Sequence, residues 1–298
     1  MQVTVGGKSI GLDCNSGDIS FLSHAHRDHV SGFRGRERII ASEETLALAG
    51  FLENGKPETE NWIQMLDAGH ILGSRQMYAE LDGESVLYTG DFRVKDGIFG
   101  KGAKAKNADR LVVECTYGDP RFRFPDPFEV YGQIAKWVKE NSGSILLIGA
   151  YNLGKAQEII RVLNSYSSIV PIVMPESEMF STVYEDYGVK LERAIVGSPE
   201  AEEIMRGGFA AVVPPRLANR GFAHKLSNAF GRRALCAVAT GWVMSMRHNV
   251  DAAFPLSDHS DFYDIVEYMG EVNPKRVDFV HGEGKHLEKE LQKKLAKG

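Results

Sequence analysis

A strand-like run, Ile19-Ser20-Phe21-Leu22, breaks into Ser23-His24-Ala25-His26-Arg27-Asp28-His29, which puts four metal-type ligands within six residues. Imidazole with carboxylate suits zinc, or manganese where oxygen ligands increase. A short loop leaving a strand can turn alternate side chains to opposite sides. His24 and His26 are therefore expected to serve one metal, and Asp28 and His29 a neighbour. Four ligands in one loop rarely complete a catalytic site, so other histidines or carboxylates at strand ends should join them. His70 sits in Ala68-Gly69-His70-Ile71-Leu72-Gly73-Ser74, where glycines allow close backbone approach; Asp91 follows the strand Val86-Leu87-Tyr88 in Thr89-Gly90-Asp91-Phe92-Arg93. His259 lies in Pro255-Leu256-Ser257-Asp258-His259-Ser260-Asp261, just before a helix that Ser260 or Asp261 can cap, and His281 ends the strand Val277 to Val280. His224, His248 and His286 lack that placement and read as surface or helix residues.

The first ninety residues are rich in short apolar or alternating runs: Val3 to Val5, Ser9 to Leu12, Trp62 to Leu66, Met77 to Leu81 and Val86 to Tyr88. One helix, capped by Ser42 and running to Leu52, interrupts them. From Leu111 the rhythm becomes strand then helix: Leu111 to Cys115, 127–141, Ile145 to Ala150, 153–164, Ile169 to Met174 and 176–187. That alternation predicts βαβ units and a parallel sheet. Strand Ala234 to Ala239, helix Asp261 to Met269, strand Val277 to Val280 and a basic helix from His286 close the chain. The pattern permits two consecutive domains, or one interrupted by the other; 298 residues suffice for both. There is no apolar run of the roughly 20 residues a membrane helix needs, and the N-terminus does not read as a signal peptide. The three cysteines, Cys14, Cys115 and Cys236, are widely spaced without a CxxC. A reducing, cytoplasmic setting is expected.

The ordered set HAHRDH, AGHILGS, TGDFR, ECTYGDP, PLSDHSD and VHGE resembles the metallo-β-lactamase fold in its nucleic-acid-processing branch, the β-CASP nucleases. Asp13, in Gly11-Leu12-Asp13-Cys14, looks like the structural aspartate of that fold. The segment from Gly149 to Glu158, Gly241-Trp242-Val243 and Tyr117 through Pro125 look most like the DNA-ligase-associated, Artemis-related exonucleases. The resemblance implies an α/β fold: an αββα catalytic sandwich from 1–119 and 241–298, interrupted by a small β-CASP cap at 120–240 with a parallel sheet and flanking helices. It further implies two divalent metal ions, Zn²⁺ or alternatively Mn²⁺. His24, His26 and His70 would hold the first, Asp28, His29 and His281 the second, and Asp91 both. Such ions share a hydroxide nucleophile and neutralise the phosphodiester's developing charge, leaving a 5′-phosphate. His259 matches the signature histidine that protonates the leaving oxygen, and Glu114 the acid that orients it; Asp28 stands with these two among the catalytic residues. The implied function is a DNA exonuclease in repair, with a helicase or DNA ligase as partner. The alternative within the family is an RNA-processing nuclease. His281 fits the RNA-processing and ligase-associated groups better than the Artemis group, and a cap of about 120 residues is shorter than in the RNA 3′-end-processing members.

Charge is segregated. Overall the chain is −5, yet Ile204 to Val250 holds seven cations and no Asp or Glu, so the rest carries −12. From that block Arg216, Arg220, Arg232, Arg233 and Arg247 are expected to hold substrate phosphates, with Phe209, Phe222, Phe230 and Trp242 as candidate faces for bases. Gly149 to Ala156 nearly matches a phosphate-binding GxxxxGK[ST] loop, but Ala156 lacks the hydroxyl that holds Mg²⁺, which argues against an NTPase. Lys155 at a helix start remains a candidate phosphate grip. Thioester or lactone hydrolysis on the same fold would need the metal ligands but neither Glu114 with His259 nor a basic block, and a non-catalytic scaffold would need none of them.

Overall fold

The computed structural model describes residues 1–33, 38–51 and 58–295, the last three by backbone alone. Leu52, at the end of one expected helix, and Ala296-Lys297, at the end of the basic C-terminal run, lie outside the described residues. Two compact units emerge, Met1–Arg123 with Asp258–Gly298, and Phe124–Ser257.

In the first unit β1 (Gln2–Val5), β2 (Lys8–Leu12), β3 (Ile19–Phe21) and β4 (Ile39–Ile40) form a four-stranded sheet in chain order. Short helices α1 (Arg27–Val30) and α2 (Glu43–Ala49) interrupt it. Ser42 caps α2 by accepting from Thr45 N, and Gly50, at φ 72°, ends it. Strands β5 (Ile63–Asp67), β6 (Arg75–Leu81), β7 (Glu84–Tyr88) and β8 (Arg110–Glu114) begin the second sheet. It is completed by the returning chain, which supplies α8 (Phe262–Val272), β15 (Arg276–Val280) and α9 (Lys285–Leu295) and gives the order β15-β8-β7-β6-β5. Alternation sorts the faces. Val3, Val5, Ile10, Leu12 and Phe21 of the first sheet share one core with Met77, Ala79, Val86, Tyr88 and Val112 of the second. On the far sides, Leu46 of α2 packs with Leu22 and Phe33, and Ile265, Tyr268 and Leu287 of α8 and α9 pack with Leu87, Leu111 and Val113. The layers therefore run helix, sheet, sheet, helix.

This topology gathers strand ends. β7, β8 and β15 are parallel, so Thr89-Gly90-Asp91, Glu114 and His281 leave one edge together. Ser23, which follows β3, accepts from Arg75 N at 2.8 Å, tying the histidine loop to the same edge. Gly90 makes that closeness possible: φ is 55°, and a Cβ there would lie 2.5 Å from the Ser23 Cβ. Gly90→Ala is expected to cost at least the roughly 1–2 kcal/mol of a left-handed alanine, read as a lower denaturation midpoint.

The second unit is a six-stranded parallel sheet in the order β11-β10-β12-β9-β13-β14. Its elements are α3 (Pro127–Glu140), β9 (Ile145–Gly149), α4 (Lys155–Ser167), β10 (Ile172–Val173), α5 (Pro175–Asp186), β11 (Ala194–Ile195), α6 (Pro199–Ile204), β12 (Phe209–Val213), α7 (Arg220–Phe230), β13 (Ala234–Ala239) and β14 (Ala252–Phe254). α3 has Asp126 as cap, Pro127 in its first turn and Val130, Ile134 and Val138 along one buried face. β9 and β12 are buried at all five positions, as strands covered on both faces must be. The unit extends to Ser257, past the expected 240, and within that extension β14 pairs in parallel with β13. Strand β12, the neighbour of β9, went unread within the basic block. No helix among the described residues is long and apolar enough to cross a membrane. Cys14, Cys115 and Cys236 are free thiols.

Candidate metal centre

Each half of the site follows from how a strand ends. After β3 the chain stays extended through His26, and a helical turn starts at Arg27. His24 and His26 therefore keep strand-like geometry, while at about 100° per residue Asp28 and His29 diverge. His29 turns inward beside His24, with ring centroids 4.1 Å apart. The Asp28 side chain is 75% exposed, with its carboxylate 3.7 Å from His29 Nε2. The expected Asp28–His29 pairing toward one ion is thus only partly formed.

His24, His26, His70 and Asp91 bring one ligand atom each to a common point. His26 Nδ1 lies 3.0 Å from His24 Nε2 and 3.1 Å from His70 Nε2. Asp91 Oδ2 lies 3.4 Å from His24 Nε2, 3.5 Å from His29 Nε2 and 3.9 Å from His70 Nε2. Metal–nitrogen distances of about 2.0–2.1 Å imply tetrahedral edges of about 3.3–3.4 Å, so this set fits a divalent cation. His29, Asp91 and His281 form a second convergence sharing the same carboxylate. It is more open, because His281 is exposed, and Asp28 is not part of it. The buried His29 Nε2 and Asp91 Oδ1 have no hydrogen-bond partner among the described residues, which fits atoms that would ligate a cation.

The outer bonds leave the inner nitrogens bare. His70 Nδ1 donates to the Asp258 carbonyl at 2.8 Å. Ser23 Oγ gives its proton to Asp13 at 2.6 Å, so it accepts from His24 Nδ1 at 2.9 Å. His29 Nδ1 donates to Asp13 Oδ2, which also accepts from Tyr88 Oη at 2.8 Å. Each of the three imidazoles thereby turns its Nε2 inward, where a cation would take the place of any proton. Asp13 sits at φ 46° after β2 to do this. Burial pushes His70 down to about 3, helped by His259 and His26, and burial likewise lowers His24. Burial alone would lower His29 too, but Asp13 and Asp91 raise it to about 10. Asp91 is held well below the usual carboxylate range: burial opposes ionisation, and the surrounding imidazoles outweigh it. Tyr88→Phe removes one of the bonds to Asp13 and is expected to weaken metal affinity about tenfold, measured by chelator competition.

Beside this cluster His259 Nδ1 donates to the fully buried Glu114 Oε1 at 2.8 Å, and Glu114 Oε2 accepts from Thr116 N at 2.9 Å. Burial disfavours the imidazolium, but Glu114 outweighs it and pushes His259 up to about 9. The His259 ring stacks edge-on to His70 with centroids 4.6 Å apart. Two loops hold it there: Ser260 N donates to the Phe92 carbonyl at 2.7 Å, and Lys95 Nζ pairs with Asp261 at 3.1 Å. The sequence reasoning missed Tyr88, Ser23 and Lys95, whose residue types carry no metal signal.

The candidate phosphate contacts divide. Lys155 is 3% exposed and its ammonium is paired with Glu158, which also accepts from Tyr131 Oη at 2.6 Å. That arrangement corrects its reading as an open anion grip. Arg232 donates to the carbonyls of Met205, Arg206 and Gly207, closing the turn after α6. Arg220 pairs with Asp251 at 3.0 Å. Arg216, Arg233 and Arg247 are exposed. Arg216 and Arg247 follow the carboxyl ends of β12 and β13, whereas Arg232 and Arg233 precede β13, so the block is split between opposite edges of the sheet.

No family model matches the chain. It is 34% identical over 286 residues, 88% of its length, to a probable DNA ligase of Opitutus terrae, and it spans 26% of that protein. It is 23% identical over 274 residues, 86% of its length, to the 5′ exonuclease Apollo of Gallus gallus, spanning 57% of it. Among solved structures, a protein of unknown function from Enterococcus faecalis V583 superposes with a TM-score of 0.59 at 14% identity, covering 88% of this chain and 75% of that one. These likenesses run through most of the chain, and with them the chain belongs to the metallo-β-lactamase/β-CASP nuclease family.

Proposed function

We propose that this chain is a metal-dependent phosphodiesterase acting on nucleic acid, specifically a DNA exonuclease of repair that leaves 5′-phosphates. One observation carries the reading: the buried Asp91 carboxylate is shared by two ligand clusters directly beside the Glu114–His259 pair. Hydrolysis of a small thioester needs no such proton donor. In this reading His24, His26 and His70 would hold one cation, His29 and His281 the other, with Asp28 available from the rim and Asp91 available to both. Zn²⁺ suits the imidazole-rich set, with Mn²⁺ the alternative. When bound, the cations polarise the attacking water and offset charge developing on the phosphate. Glu114 keeps His259 as imidazolium, oriented through Nδ1–H, so its Nε2 proton goes to the departing oxygen. The unit Phe124–Ser257 then acts as a β-CASP cap inserted into an αββα catalytic domain. Likeness to a protein named as a probable DNA ligase supports a ligase as partner, and the family resemblance a helicase. Three free thiols suit the cytoplasm.

The test is metal analysis of purified protein followed by digestion of end-labelled single- and double-stranded DNA and RNA. About two ions per chain, chelator-sensitive, with terminal release of mononucleotides from DNA, is the expected result. Preference for RNA moves the chain to the RNA-processing branch, and full activity without metal refutes the mechanism.

A further inference from the structure

The second unit contains a cavity that the chemistry above does not use. It has a volume of about 270 Å³ and lies outside the carboxyl ends of β9 and β13. From β9 the chain winds to β10, β11 and back to β12 on one side, then crosses to β13 and β14 on the other. Its position is therefore the sheet's topological switch point, where open α/β sheets bind ligands. The volume falls just under the roughly 300–1,000 Å³ of small-ligand sites, room for one flat ring system.

The lining offers a base what it needs. Tyr151, which follows β9, is 59% exposed, an unusual state for a tyrosine, and Trp242 forms another part of the wall. Met246 beside them is 54% exposed. Among the polar groups, Asn219 is already engaged, accepting from Phe222 N at 2.9 Å and donating to the Arg216 carbonyl at 2.9 Å. His248 is not: its Nε2 is buried and has no hydrogen-bond partner among the described residues. A buried orphan nitrogen next to a cavity marks a missing polar ligand. The exposed Asn249, next in the chain, carries an amide that matches the mixed donor and acceptor edge of a base. Arg216, which follows the lining residue Pro215, and Arg247, between the lining residues Met246 and His248, are exposed and have no ion-pair partner among the described residues. No Asp or Glu occurs from Ile204 to Val250 to compete for them.

We propose that this cavity binds one unpaired nucleotide of a single-stranded nucleic acid, its base against Tyr151 and Trp242 and its phosphate on Arg216 and Arg247. The choice of ligand rests on the nucleic-acid reading above; the binding assay does not depend on cleavage. A duplex keeps its bases stacked and cannot supply one, so the site selects unpaired strands.

The test is fluorescence anisotropy of the metal-loaded protein with a hydrolysis-resistant phosphorothioate hexanucleotide, against an abasic strand of equal length. Wild type is expected to bind the intact strand about tenfold more tightly, the worth of one stacked base. Tyr151→Ala and His248→Ala should lower the intact strand toward the abasic value and leave the abasic strand unchanged. Arg216→Gln with Arg247→Gln should weaken both strands and reduce the slope of log affinity against log salt by about 1.4. Equal binding of intact and abasic strands by wild type, or an undiminished preference in Tyr151→Ala, overturns the proposal. Cleavage assays on the same preparations separate the two readings. Active protein without base preference leaves the nuclease standing and sinks the pocket; base preference without cleavage does the reverse.

Discussion

Asp91→Asn is expected to bring bound metal from about two ions per chain to below one and to reduce nuclease turnover on the order of 10³ or more, with the fold retained. Among the described residues Asp91 is the single carboxylate whose oxygen lies within 4 Å of the inner nitrogens of His24, His29 and His70. Asparagine keeps its shape but removes the negative charge that would offset the two proposed cations. The side chain is only 8% exposed, so water cannot substitute for it. Asp28→Asn should behave differently. Its carboxylate is exposed and outside both convergences, so only the weaker of two metal-binding phases should suffer in a calorimetric titration. Equal loss of both ions in the two variants would mean that the rim aspartate is as central as the buried one, against the geometry.

What could be read in advance and what could not divide along a physical line. Histidines at strand ends were legible because ligand chemistry restricts residue type and because parallel strands deliver their carboxyl ends to one edge. All of His24, His26, His29, His70, Asp91 and His281 enter the two convergences. Asp28 does not, because a helical turn begins at Arg27 and leaves its side chain exposed. Tyr88 and Ser23 were invisible for another reason: each resembles an ordinary strand residue until the fold sets Asp13 against it. In the second half, attention to charge hid structure. The segment 204–250 holds α7 and the buried strands β12 and β13, and its cations divide between two edges of a sheet, with Arg232 spent on backbone carbonyls. Net charge over a stretch says how many cations there are; topology decides which of them can meet the same ligand.

His259→Ala is expected to retain about two ions per chain while losing roughly 10²–10⁴ in turnover on DNA, the usual worth of a positioned proton donor. The imidazole contacts the cluster only ring to ring, through His70, and its hydrogen bond runs outward to Glu114. Removing it therefore leaves the ligand atoms and the bonds that orient them in place. A separate measurement distinguishes proton donation from mere packing. With a 4-nitrophenyl phosphodiester the departing oxygen is stable without a proton, so His259→Ala should approach wild-type turnover there while remaining crippled on DNA. Glu114→Gln should show the same selectivity in milder form, since glutamine can still accept from Nδ1 but no longer holds the ring as imidazolium. An equal loss on both substrates, or loss of metal from His259→Ala, would show that this histidine builds the centre instead of serving it.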